Sequence, residues 1–241
     1  MNPLVVLVTG STSGIGEATA RRFAARGDTV VFNSARSVEA GERLSAQTPG
    51  SIYVRADISK PEECAHLVRE VLERCGRLDV LVNNAGTTRL IAHQDLAAAT
   101  VEVWREIFEV NVFGTWSLSV AAMEALRGAH GAVVNVSSVA GVRPTGSSIP
   151  YAASKAALNH MTALLAKVVG PEVRVNAVAP GLIDTPWTED WDVVRGFVSS
   201  VAPLRRTGTP EDVADLIVSL ALTPYVTGQV VVVDGGLSLT T

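Results

Sequence analysis

Thr9-Gly10-Ser11-Thr12-Ser13-Gly14-Ile15-Gly16 follows an apolar run at residues 4–8 and leads into an amphipathic stretch. A glycine-rich turn between a strand and a helix sets backbone amides at the carboxyl edge of a sheet, where a helix N-terminus can face a pyrophosphate. Glycine is needed because a Cβ would obstruct both the tight turn and the approach of phosphate oxygens, and at Gly16 its absence lets the helix pack on the strand. The spacing is GxxxGxG and not GxGxxG, and three glycines also make an ordinary flexible turn. The strand before and the helix after the loop favour the cofactor reading, with Gly10, Ser11, Ser13, Gly14, Ile15 and Gly16 as expected contacts.

Working outward from this loop, short β-branched runs recur at 29–32, 52–54, 80–82, 132–136, 173–178 and 230–233, with helical stretches between them. The runs are almost continuously apolar, as strands covered on both faces should be. The expected fold is α/β: a single-domain, Rossmann-like, doubly wound parallel sheet of about seven strands with helices on both faces. One helix is sharply punctuated, beginning at Tyr151 after Ser147, Ser148 and Pro150 and ending at Gly170-Pro171. Residues 185–206 break the pattern with Trp187, Trp191, Gly196 and Pro203, and read as an insertion outside the sheet that covers the substrate. No repeat or linker marks a second domain, so residues 1–241 are expected to form one unit.

Composition narrows the function classes. The 241 residues are 47% hydrophobic and 18% charged, with a formal net charge of -4 and both signs scattered. That leaves no basic footprint for nucleic acid or an anionic membrane. Residues 1–8 are apolar but short and without a basic leader, so they read as a first strand and not as a signal peptide. Cys64 and Cys75 match neither a metal pattern nor a disulfide framework, which fits a reducing cytoplasm.

Cofactor choice is read where the second strand ends, at Phe32-Asn33-Ser34-Ala35-Arg36. An acidic side chain there would accept the ribose 2'-hydroxyl of NAD. Here there is none, while Arg36 offers a fork of donors for a 2'-phosphate and Ser34 a hydroxyl, so NADP(H) is favoured and NAD(H) stays open. Arg36 can also be read as a solvated surface residue. After the third run, Asp57 and Ile58 are expected at the adenine, with Asp57 either accepting from its amine or capping the next helix.

Tyr151 and Lys155 stand four apart on one helix and so share a face. A phenol titrates near 10, and a neighbouring ammonium favours the phenolate, which suits it to acid–base work. Ser138, just past the run 132–136, can hydrogen-bond a substrate oxygen, and Asn111 can hold a water linking Lys155 to solvent. Singly, these four residues read as packing, a surface charge, a loop cap and a satisfied amide. Trp187 and Trp191, four apart, read either as two indoles lining the substrate pocket or as a packing stripe.

Together, TGxxxGIG, Asn83-Asn84-Ala85-Gly86, Asn111, Ser138 and Tyr151-xxx-Lys155 resemble the short-chain dehydrogenase/reductase family over essentially the whole chain. Pro180-Gly181 with Ile183 and Thr185, and Asp234-Gly235-Gly236, match further. The resemblance implies a tetrad of Asn111, Ser138, Tyr151 and Lys155 without metal, and an NAD(P)(H)-dependent exchange of ketone and secondary alcohol with Tyr151 as general acid/base. It also implies cofactor contacts from Asn84, Ala85, Gly86, Tyr151, Lys155, Pro180, Gly181, Ile183 and Thr185, a sheet-stabilising Asn83, and a homotetramer. Within the family the chain is most similar to the 3-oxoacyl-acyl-carrier-protein reductase group, through Asn33 to Ser37 and Thr88-Arg89. Ala129, Pro171 and Leu90 depart from that group's charged positions, so a small carbonyl or alcohol substrate is the first expectation and fatty-acid synthesis the alternative. A non-catalytic dinucleotide sensor and a methyltransferase fit less well, since neither has a use for the Tyr-Lys pair beside Ser138.

Overall fold

The computed structural model describes residues 3–240. Seven strands, β1 (Val5–Val8), β2 (Thr29–Ser34), β3 (Ile52–Arg55), β4 (Val80–Asn83), β5 (Ala132–Val136), β6 (Arg174–Pro180) and β7 (Val230–Val233), form one sheet. Their order is β3-β2-β1-β4-β5-β6-β7, and every neighbouring pair is parallel. All seven apolar runs are therefore strands. The second extends through Asn33 and Ser34, and the sixth begins at Arg174 and continues to Pro180. Met1 and Asn2, assigned to the first run from sequence, lie outside the described residues.

Period-two alternation divides the core between the two faces of the sheet. Val5 and Leu7 point into a cluster with Leu67, Leu118 and Leu165, while Val6 and Val8 point into another with Phe23 and Ile217. The first face is covered by α3 (Pro61–Cys75), α5 (Thr115–Ala129) and α6 (Ile149–Val169), the second by α1 (Gly14–Ala25) and α8 (Pro210–Leu222). The remaining helices are α2 (Val38–Gln47), α4 (Val101–Phe108) and α7 (Asp192–Val201). Helix α6 starts two residues before the expected Tyr151, because the Ser148 hydroxyl accepts from the Tyr151 amide and Pro150 fits the first turn. Among the described residues, no helix is long and apolar enough to cross a membrane.

A polar rung crosses the middle of this apolar sheet. The Asn83 amide donates to Asn135 Oδ1 at 2.9 Å and to Ser119 at 3.1 Å, and Asn135 donates to Thr162 at 2.9 Å. Asn83 therefore ties β4 to β5 and α5, the role expected of it. The chain runs β1, β2, β3 to one side and returns through β4 on the other. Between β1 and β4 the carboxyl ends of the strands thus leave a crevice, where ligands bind in such sheets.

Leu7→Ala is expected to cost about 3 kcal/mol in urea unfolding, because a fully buried side chain in the central strand leaves a cavity. Val232→Ala on the edge strand should cost under about 0.5 kcal/mol.

Candidate active site

The crevice at the carboxyl ends is a cleft of about 790 Å3. Every expected cofactor residue lines it except Ser11 and Gly16. Ser11 is buried and accepts from the Asn33 amide at 2.9 Å, so it fastens the glycine loop to β2 and does not face a ligand. Gly16 acts from within: a Cβ there would lie 2.4 Å from the Gly10 carbonyl and 2.5 Å from the Asn84 amide. Gly14 has φ of +54° and opens α1, whose N-cap Ser13 makes no side-chain cap bond. Loop amides and helix N-terminus thus face the cleft, with Thr185 above Gly14. Asn84 secures the loop from the β4 side, donating to the carbonyls of Thr9 and Gly10 at 2.8 and 3.0 Å. The cradle fits a dinucleotide pyrophosphate: its glycines, where a Cβ would meet Ala85, Thr185 or the Gly10 carbonyl, let the loop fold tightly with its amides toward the cleft.

At the end of β2, Ser34 Oγ lies 2.8 Å from the Tyr53 hydroxyl. Arg36 lines the same groove, where its charge acts on the Asp57 carboxylate. Asp57 does not cap α3, whose N-cap is Lys60. Instead its Oδ1 accepts from the amide and hydroxyl of Ser59, bonds that help hold the carboxyl below its ordinary range against the opposing effect of burial. Ile58 is buried beside it and still borders the cleft.

The chemical residues meet at the other end. Ser138 follows β5 and caps a short 3-10 turn, accepting from the Ala140 amide at 3.1 Å. Lys155 is 4% exposed, donates to the Val136 carbonyl at 2.8 Å, and lies 5.7 Å from the centre of the Tyr151 ring. Burial lowers the lysine to about 8. The phenol of Tyr151 is pushed up from its ordinary value, also by burial, and the Ser138 hydroxyl pulls it back in part. This corrects one expectation: in this setting desolvation governs Tyr151, and the Lys155 charge does not bring it down.

Asn111 makes protein contacts that its sequence position does not announce. It sits in a π-helical stretch, Glu109–Gly114, between α4 and α5. The wider turn directs it inward, where it donates to the Thr87 carbonyl and to Ser154 Oγ, each at 3.0 Å, and accepts from the Thr87 amide at 2.8 Å. Both amide hydrogens are therefore spent on the protein, and the side chain clamps the loop after β4 to α6. Ser154 completes the clamp by donating to the Tyr151 carbonyl at 2.7 Å. Sequence reasoning passed over Ser154, because its partner lies 43 positions away and only the fold joins them.

Trp187 and Trp191 both line the cleft, on opposite sides of a bend and not on one helical face. Trp187 belongs to a 3-10 turn and meets Tyr151 edge-on, with ring centres 6.5 Å apart; Trp191 is the N-cap of α7. Thr12, Arg143 and Leu237 also border the cleft, although no motif marks them.

A sequence profile described as enoyl-(acyl carrier protein) reductase matches residues 10–238. A Streptomyces violaceoruber protein named as a ketoacyl reductase of the granaticin polyketide synthase is 59% identical over 239 residues, covering 98% of this chain and 96% of that protein. A Thermotoga maritima protein named 3-oxoacyl-[acyl-carrier-protein] reductase is 39% identical over 242 residues, covering 97% of each. A solved structure described as a short-chain dehydrogenase/reductase from Burkholderia xenovorans superposes with a TM-score of 0.93 at 37% identity, covering 99% of both chains.

The buried ammonium has a thermodynamic consequence. Lys155 titrates at about 8 folded against 10.5 free, so between those values the unfolded chain binds more protons and stability rises with pH. Below pH 8 the whole burial penalty, roughly 3 kcal/mol, is present. Lys155→Met should therefore stabilise the protein by about 2 kcal/mol at pH 7, net of the donor lost to Val136. The gain should shrink by pH 10, as read from urea midpoints at both values.

Proposed function

The chain belongs to the short-chain dehydrogenase/reductase family of oxidoreductases, and from that premise we propose that it reduces the ketone of a ketoacyl thioester to a secondary alcohol with NADP(H). The observation that carries this reading is the convergence of the Ser138 hydroxyl and the Tyr151 phenol at one end of the cleft, backed by buried Lys155. Two hydroxyls aimed at one point suit an oxygen atom.

When bound, the nicotinamide supplies the hydride to the carbonyl carbon. The protein's part is to hold and protonate the oxygen. Ser138 donates a hydrogen bond to it, and Tyr151 transfers its phenolic proton as negative charge develops. The phenol, pushed up by burial, is in the protonated form that this step requires. Lys155, charged below about pH 8, faces the phenolate left behind and offsets its charge. Asn111 and Ser154 hold the loop after β4 and the first turns of α6 in register, so that the phenol meets the substrate in one geometry.

For the cofactor, the Arg36 guanidinium in the groove and the absence of an acid at the end of β2 support NADP(H). The relatives named as ketoacyl and 3-oxoacyl reductases support a thioester substrate, polyketide in one case and carried by an acyl carrier protein in the other. We read residues 1–241 as one cofactor-binding and catalytic unit, cytoplasmic in keeping with its unpaired cysteines. Exposed Trp116 and Val120 on α5, and Leu164 and Val168 on α6, support the homotetramer that the family resemblance implies.

Tyr151→Phe should lower the rate of NADPH-dependent reduction by about 100- to 10,000-fold while leaving NADPH affinity nearly unchanged. Assays with 3-oxoacyl thioesters, simple ketones and secondary alcohols read this and rank the substrates; near-normal turnover in the variant refutes the mechanism. Arg36→Ala should weaken NADPH binding by about 10- to 100-fold and NADH binding hardly at all, as measured by fluorescence titration. Equal losses for the two cofactors rule out its role at the 2'-phosphate.

A further inference from the structure

The segment that covers the cleft is held in an unusual way. Of the ten residues of α7, only Val198 is buried, while Val193, Val194 and Phe197 are exposed. Apolar packing therefore anchors this helix weakly. What fastens its first turn is Arg195, whose planar fork reaches three acceptors: Asp184 Oδ1 at 2.9 Å, Asp192 Oδ1 at 2.7 Å and the Thr188 carbonyl at 2.9 Å. Asp184 is itself fixed, since its second oxygen accepts from Thr207 at 2.6 Å. The Thr188 hydroxyl, on the inner side of the same turn, donates to the Ile183 carbonyl at 2.7 Å.

Between these two fasteners stands Trp187. Its ring meets Tyr151 edge-on, and the tip of the indole comes within 3.8 Å of where a Cβ on Gly86 would lie, a point also 3.7 Å from Lys155 Nζ and 3.3 Å from Asn111 Oδ1. Trp187 is nonetheless 46% exposed, so little packing from behind fixes its position. We propose that Arg195 is a positioning residue for the reaction: through Asp184 and the Thr188 carbonyl it aims Trp187 over Tyr151, so that an ion pair and not a packed core holds the cover on the reacting oxygen.

A single exposed ion pair contributes little, but a guanidinium shared among two carboxylates and a carbonyl is pre-organised in a way that lysine, with its point charge, cannot reproduce. Charge also makes the cover sensitive to salt. Side-chain exposure of 28% for Arg195 and 45% for Asp184 leaves the pair open to screening. A cover held by packing would not respond in this way.

The proposal rests on the reductase reading of the same cleft, and its test separates the two. With saturating NADPH and a neutral ketone substrate, Arg195→Met should raise KM about fivefold with a smaller change in kcat, and Arg195→Lys should recover part of the loss. Asp184→Asn, a second variant that retains a partner for Thr207, should shift KM the same way. In wild type, KM should climb toward the variant's value as salt rises from about 0.02 to about 0.5 M, while in Arg195→Met it stays flat. Tryptophan emission should shift to the red in Arg195→Met, and the shift should vanish when Trp187→Phe is added. Unchanged KM and emission in both variants, or a lower melting temperature with unchanged KM, would overturn the proposal. Should wild type reduce no ketone, the reductase reading fails and the Trp187-dependent emission shift still decides for or against the clamp.

Discussion

An ammonium held almost out of contact with water, with a single carbonyl for a partner, is the constraint around which this protein is arranged. Lys155 can be buried there only because α6 lies against the end of β5, where the Val136 carbonyl has no strand partner left to serve. Gly86 lies beside its amine, and a Cβ there would press on Asn111 Oδ1 at 3.3 Å while only touching Lys155 at 3.7 Å. The parallel sheet supplies the rest of the geometry. All seven carboxyl ends face one edge, so the glycine loop after β1, the Asn84 to Gly86 loop after β4, Ser138 after β5 and Pro180-Gly181 at the end of β6 reach one cleft without any long excursion of the chain.

Burial acts in opposite directions on the two groups that matter. It makes the lysine easier to deprotonate and the phenol harder, and so moves their titrations apart, with the lysine now the lower of the two. At neutral pH Tyr151 therefore holds its proton and Lys155 still carries its charge, so the phenol has a proton to give and a cation beside it to offset the charge left behind. The cost falls on stability. The polar rung through Asn83, Asn135 and Thr162, and the clamp of Asn111 and Ser154, hold the surrounding elements in place against rearrangement that would relieve it.

Local chemistry was legible in the sequence where it is written in neighbouring residues. Seven β-branched runs gave seven strands, because a strand covered on both faces needs continuous apolar side chains whatever its partners. The glycine loop, the Ser148-Pro150 helix start and the Tyr151-Lys155 spacing are equally local. What escaped depends on residues far apart in the chain. Ser11 looked like a ligand contact because it sits among glycines, yet the approach of β2 turns it inward to Asn33. Asn111 was legible as a site residue but not as a clamp, since only the π-helical turn and the arrival of Ser154 use up its amide. The raised phenol of Tyr151 is not legible because helical spacing reports the distance to Lys155 and says nothing of how far each group is desolvated by the fold. Arg195, one of many arginines, acquires three partners only when the covering segment folds back toward Asp184.

The lysine itself offers the most direct test. The chain contains only three, Lys60, Lys155 and Lys167, so a protein labelled with 13C at lysine Cε gives three signals whose shifts can be followed against pH and assigned by substitution. Lys155 should titrate at about 8. A midpoint for Lys155 near the free value of 10.5 would mean that its amine is solvated and would contradict the account.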